Sequence, residues 1–81
     1  MNVEIYSKEN CGFCVKAKFL CEQNSIAYVE IDATENKEQL IERVTKDTGN
    51  PPRTVPQIYV DGNYVGGYTE LVSYLNVSSA D

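Results

Sequence analysis

The chain has 81 residues, of which 42% are hydrophobic and 23% charged, with a net charge of −5 and a pI near 4.5. That length fits one small domain with short connections and leaves no room for a second. The acidic balance excludes a nucleic-acid footprint, which needs a basic face, and gives no attraction to anionic membranes.

The expected elements follow in chain order. Asn2 to Tyr6 alternates polar and apolar residues and predicts a strand. Gly12 to Gln23 has helical spacing, with Phe19 and Leu20 expected in the core, and Asn24-Ser25 ends it. Ile26 to Ile31 is rich in β-formers and predicts a second strand. Glu35 to Thr48 predicts a second helix with Leu40, Ile41 and Val44 as its apolar stripe, Gly49 as its cap and Pro51-Pro52 as its stop. Gln57 to Val60 and Asn63 to Val65 are strands joined at Asp61-Gly62, a strong two-residue hairpin signal. Gly66-Gly67 leads to a short last helix over Glu70 to Leu75, with Leu71 and Leu75 facing inward. Residues 1–77 are expected to form the domain, and 78–81 a loose tail.

The order β-α-β-α-β-β-α predicts an α/β fold. Its first β-α-β should be parallel with a right-handed crossover, and its last hairpin antiparallel. One mixed four-stranded sheet flanked by helices follows. No apolar run approaches the roughly 20 residues of a membrane span. Glu4 stands where a signal peptide needs its apolar region. A cytoplasmic protein is expected.

Cys11-Gly12-Phe13-Cys14 sits where the first strand hands over to the first helix. A cysteine at a helix start lies beside unpaired N–H groups and the positive end of the helix dipole. Both favour the reactive thiolate. Cys14 is one turn on, on the same face. This is the geometry of a dithiol that opens and closes during turnover. The chain has three cysteines and no histidine, a poor disulfide framework and one ligand short of a zinc site. Cys21 lies two turns beyond Cys14, about 10 Å and out of disulfide reach, and reads as a small buried apolar residue. Lys16, Lys18 and the acidic residues of the second helix read as solvated faces, and Asp32 as a capping or loop residue.

Four segments in the right order carry a resemblance: Val3-Glu4-Ile5-Tyr6-Ser7-Lys8, Cys11-Gly12-Phe13-Cys14, Thr54-Val55-Pro56-Gln57-Ile58-Tyr59 and Val65-Gly66-Gly67-Tyr68. Along nearly its whole length the chain resembles the glutaredoxins. The resemblance implies a thioredoxin fold, glutathione as reductant, Cys11 as nucleophile, Cys14 as resolving thiol and a cis Val55-Pro56 bond. It implies that glutathione pairs in strand fashion with the backbone of Val55, beside Thr54 and Pro56. Lys8 would steady the thiolate and a carboxylate, Arg53 would fork onto the glycine carboxylate, and Phe13 and Tyr68 would line the groove. Gly67 would let the ligand backbone approach.

The chain also departs from the family pattern. Gly12 and Phe13 replace the usual proline and tyrosine. Thr69 and Glu70 stand where two aspartates are usual, which makes Glu70 the candidate acceptor for the glutathione amine. The expected partners are glutathione and disulfide-containing or glutathionylated proteins, ribonucleotide reductase being one such protein, acting on a monomer. Two alternatives stand beside this reading. One is a thioredoxin-like electron donor reduced by a flavoprotein. The other is a carrier of a [2Fe–2S] cluster, suggested by the Cys-Gly-Phe resemblance to a cluster-binding branch.

Overall fold

The computed structural model describes the backbone of residues 1–79 and the side chains of residues 1–76. Strand β1 (Val3–Ser7) is followed by α1 (Gly12–Gln23), β2 (Tyr28–Asp32), α2 (Lys37–Thr48), β3 (Gln57–Val60), β4 (Asn63–Gly66) and α3 (Tyr68–Ser79). The sheet order is β2-β1-β3-β4. β1 and β2 run parallel, while β1–β3 and β3–β4 are antiparallel. This is the expected mixed sheet. β1 is central, so helices cover it on both faces and its residues are buried on both.

The two faces form two core clusters. Val3, Ile5 and Ile58 meet Ala17 and Cys21 of α1 and Leu71 of α3 on one side. Tyr6 and Tyr59 meet Leu40 and Val44 of α2 on the other. Burying a side chain such as Leu71 contributes about 1.5–3 kcal/mol. Around the second cluster, Arg43 forks onto Glu4 at 2.9 and 3.0 Å, donates to the Tyr6 hydroxyl at 3.0 Å, and stacks 3.7 Å above the Tyr59 ring. These contacts tie α2 to the sheet through charge as well as packing.

Several expectations about the helices shift. Phe19 is 56% exposed, because the buried stripe of α1 is Cys14, Ala17 and Cys21 and Phe19 lies off that face. Leu20 packs against the core. Ile41 is exposed for the same reason, one residue off the Leu40–Val44 stripe. α2 begins at Lys37 rather than Glu35 because Asp32 holds the preceding turn: its Oδ1 accepts from the N–H groups of Thr34 and Glu35 at 2.8 and 3.0 Å.

β2 begins at Tyr28 rather than Ile26. The Ile26 N–H is engaged with the Cys21 carbonyl at 2.8 Å, so the ladder starts where Tyr28 meets Val3. α3 starts at Tyr68 and runs to Ser79, longer at both ends than expected, while Ala80 and Asp81 of the expected tail lie outside the described residues. The hairpin forms at Asp61-Gly62, with φ of 51° and 81°, the left-handed pair that a type I′ turn requires. No helix among the described residues is long and apolar enough to cross a membrane.

Candidate active site

Cys11 is the N-cap of α1. Its Sγ accepts the backbone N–H of Cys14 at 3.1 Å, the bond that a serine or aspartate oxygen makes at an ordinary cap. The first turn of α1 contains no acidic residue, so no carboxylate of that turn offsets the positive dipole end beside the sulfur. Cys11 is partly exposed and Cys14 is 1% exposed. Their Cα atoms are 5.3 Å apart, and the two are joined as a disulfide. The outer sulfur can be reached by a partner molecule. The inner one can be reached only by the outer.

The loop before β3 faces this pair. The Val55-Pro56 bond is cis, as the resemblance implied. The Val55 carbonyl oxygen lies 3.7 Å from Cys11 Sγ. Gly67, at the start of α3, sits against the same loop: a Cβ there would be 3.6 Å from the Pro56 carbonyl. Gly67 donates its N–H to Glu70 Oε1 at 2.7 Å. This is one half of a capping box, with glycine at the cap and glutamate three residues on. Tyr68 and Thr69 are the first two residues of α3, where backbone N–H groups have no intrahelical acceptor. Phe13 is 56% exposed, its ring 5.9 Å from that of Tyr68, with the Lys16 ammonium 5.0 Å from its centroid.

Two grooves meet at Lys8. One runs past Cys11, Val15, Lys18 and Glu30. There Glu30 accepts from Lys18 at 2.8 Å and from the buried Ser7 hydroxyl at 2.6 Å. These two donors, Lys18 first, hold the Glu30 carboxyl below its ordinary range. Lys18 is therefore paired rather than simply solvated. The other groove is lined by Lys8, Lys37, Arg53, Thr54 and Val55. Of the seven Lys and Arg residues in an acidic chain, five border this end: Lys8, Lys16, Lys18, Lys37 and Arg53.

The structure thus brings Lys8, Arg53, Thr54 and Val55 into one groove that meets the Cys11 groove at Lys8, while Gly67 lies against the Pro56 carbonyl and Phe13 against Tyr68. Thr69 and Glu70 line a separate groove with Asn63, Tyr64 and Tyr74. Lys37 lines the groove of Lys8 and Arg53 and was not expected there. A signal for it existed: a cation in the first turn of a helix opposes the dipole, so its position asks for another use. Glu70, expected as a free acceptor, already spends one carboxylate oxygen on the Gly67 N–H. Among the described residues, no three His, Cys, Asp or Glu side chains converge as a metal site. Cys21 is free and fully buried, and burial pushes its thiol up.

Residues 3–65 match the family model for glutaredoxin. Glutaredoxin 1 of Escherichia coli K12 is 36% identical over 83 residues, a match covering 93% of each chain. Glutaredoxin 1 of Rickettsia conorii is 36% identical over 67 residues, covering 83% of this chain but only 65% of that relative's length. Among solved structures, reduced Escherichia coli glutaredoxin superposes with a TM-score of 0.77 at 29% identity, covering all of both chains.

Proposed function

This chain belongs to the glutaredoxin family, and from that premise we propose that it is a glutathione-dependent thiol–disulfide oxidoreductase. The observation that carries the reading is the pairing of an accessible Cys11 at a helix cap with a buried Cys14, next to the Val55 carbonyl.

In the proposed cycle, the Cys11 thiolate attacks the glutathione sulfur of a glutathionylated thiol. The S–S bond breaks, the target leaves as a thiolate, and Cys11 carries the glutathionyl group. A second glutathione thiolate attacks that glutathione sulfur, releasing glutathione disulfide and regenerating the Cys11 thiolate. With a protein disulfide, Cys11 forms a mixed disulfide with the target. Cys14 then displaces the target thiolate and leaves the Cys11–Cys14 bond, which two glutathione molecules reduce.

Glutathione would lie extended along Val55, its glycine carboxylate among Lys8, Lys37 and Arg53. Its other carboxylate would take the open N–H groups of Tyr68 and Thr69. The free oxygen of Glu70 would face its amine. Gly67 and Pro56 would leave room for the backbone, and Phe13 and Tyr68 would wall the sulfur. The protein targets are disulfide-containing or glutathionylated proteins. The chain would act as a monomer in a reducing cytosol. A [2Fe–2S] role draws no support from a cysteine pair bonded to each other.

The test is reduction of a glutathione mixed disulfide by the purified protein with glutathione and glutathione reductase. Turnover supports the reading. If the protein is inactive there but reduces a protein disulfide with thioredoxin reductase and its nicotinamide reductant, it is a thioredoxin-like donor instead.

A further inference from the structure

We infer that Gln57 is a positioning residue: its buried side-chain amide sets the ligand-facing edge of Val55. The inference rests on the glutathione reading above for the identity of the ligand, but not for the geometry.

Gln57 is the first residue of β3 and is 4% exposed. A buried primary amide is an expensive choice in a strand unless its donors and acceptor are matched. Both ends are used here. Nε2 donates to the Thr54 carbonyl at 2.7 Å, and Oε1 accepts from the Tyr64 hydroxyl at 2.6 Å. Tyr64 is in turn held edge-on to the Tyr59 ring, with centroids 5.4 Å apart. The chain of contacts runs from the aromatic core through Gln57 to a loop carbonyl.

That carbonyl belongs to the Thr54–Val55 peptide, which is trans, since the cis bond among the described residues is Val55-Pro56. In a trans peptide the C=O and the following N–H point in opposite directions. Drawing the Thr54 carbonyl inward onto Gln57 therefore turns the Val55 N–H away from it. A residue before proline is steered to the extended region, where its own N–H and C=O leave by the same edge. The Val55 C=O faces Cys11 Sγ, so its N–H shares that edge. Among the described residues the Val55 N–H has no hydrogen-bond partner. Gln57 thus holds a donor and an acceptor side by side at the reacting sulfur, the pair that an extended cysteinyl backbone needs for strand-like docking. Without its amide, the Thr54 carbonyl loses its acceptor role and the peptide plane is free to turn.

Gln57→Leu tests this, with Tyr64→Phe as a milder variant that frees only the far end of the amide. Each is assayed with a glutathione mixed disulfide, and the Val55 amide is followed by ¹⁵N NMR. The expected result is a KM about tenfold higher in Gln57→Leu, a kcat within about twofold, and a displaced Val55 amide resonance, with a smaller change in the same direction for Tyr64→Phe. A KM within about twofold of wild type with an unmoved Val55 amide in both variants overturns the inference. So does a loss confined to kcat. If the wild type itself turns over no glutathione mixed disulfide, the functional reading fails, and the Val55 resonance alone still decides the role of Gln57.

Discussion

Glu70 turns its carboxylate back onto the N–H of Gly67, at 2.7 Å, and so closes the first turn of α3 over the glycine that lies against the Pro56 carbonyl. The side chain proposed to meet the glutathione amine is the same one that fixes the helix start. The two roles separate by substitution. Glu70→Ala removes the cap and is expected to lower stability by about 1 kcal/mol, read from urea unfolding. Glu70→Gln keeps an oxygen for Gly67 and should unfold close to wild type, while KM for glutathione rises severalfold. An unchanged KM in Glu70→Gln would leave the residue as a cap alone.

Lys8, Lys37 and Arg53 line one groove, where the proposed reading places the glycine carboxylate of glutathione. Lys37→Gln should raise KM for glutathione by roughly threefold to tenfold with little effect on kcat, the scale of one charge-assisted hydrogen bond at a partly exposed site. Added salt should raise the wild-type KM and narrow the gap between the two proteins, because exposed charges are screened. Steady-state kinetics at two ionic strengths checks both.

Arg43 donates to Glu4 and holds its carboxyl below the ordinary 4.5, against the opposing effect of burial. A carboxyl whose folded pKa is depressed adds stability above its unfolded pKa. That stability is lost as pH falls through the folded value. Arg43→Met should therefore cost stability near neutral pH, and its unfolding curve should converge on the wild-type curve below roughly pH 4. A penalty independent of pH would place the contribution of Arg43 in its stacking on Tyr59 rather than in the ion pair.

Cys21 is buried against Val3 and Ile5, with its thiol pushed up by that burial. In the reduced native protein an alkylating reagent should modify Cys11, and Cys21 only after denaturation. Cys21→Ala should retain activity and lose about 1 kcal/mol of stability, the scale of a small cavity. Rapid alkylation of Cys21 in the native state would contradict this burial.

Much of the fold is readable along the chain because its signals are local. Alternation marks β1, Asp61-Gly62 marks the hairpin, and Gly49 before Pro51-Pro52 marks the end of α2. Errors gather where a distant contact decides. Phe19 and Ile41 have core-like side chains, but the helix face that meets the sheet is set by tertiary packing, and each lies off it. The sequence predicts α3 from Glu70 because Tyr68 and Thr69 have no strong helical preference. The carboxylate that reaches back to Gly67 adds that turn. At the site, Cys11 and Cys14 are legible from spacing and helix placement alone. The groove is not: Lys8, Lys37 and Arg53 are far apart in sequence and meet only once β1, α2 and the loop before β3 are assembled. The role of Gln57 is invisible in the sequence, since a glutamine opening a strand is usually solvent-facing.

The central claim is that Cys11, and not Cys14, is the sulfur that accepts the glutathionyl group. The most direct measurement is intact-protein mass spectrometry of Cys14→Ser and Cys11→Ser after exposure to glutathione disulfide under native conditions. The prediction is a single glutathionyl adduct on Cys14→Ser, mapped to Cys11 and removed by glutathione, and none on Cys11→Ser. An adduct on Cys14 in the Cys11→Ser protein, or none on Cys11 in Cys14→Ser, would contradict it.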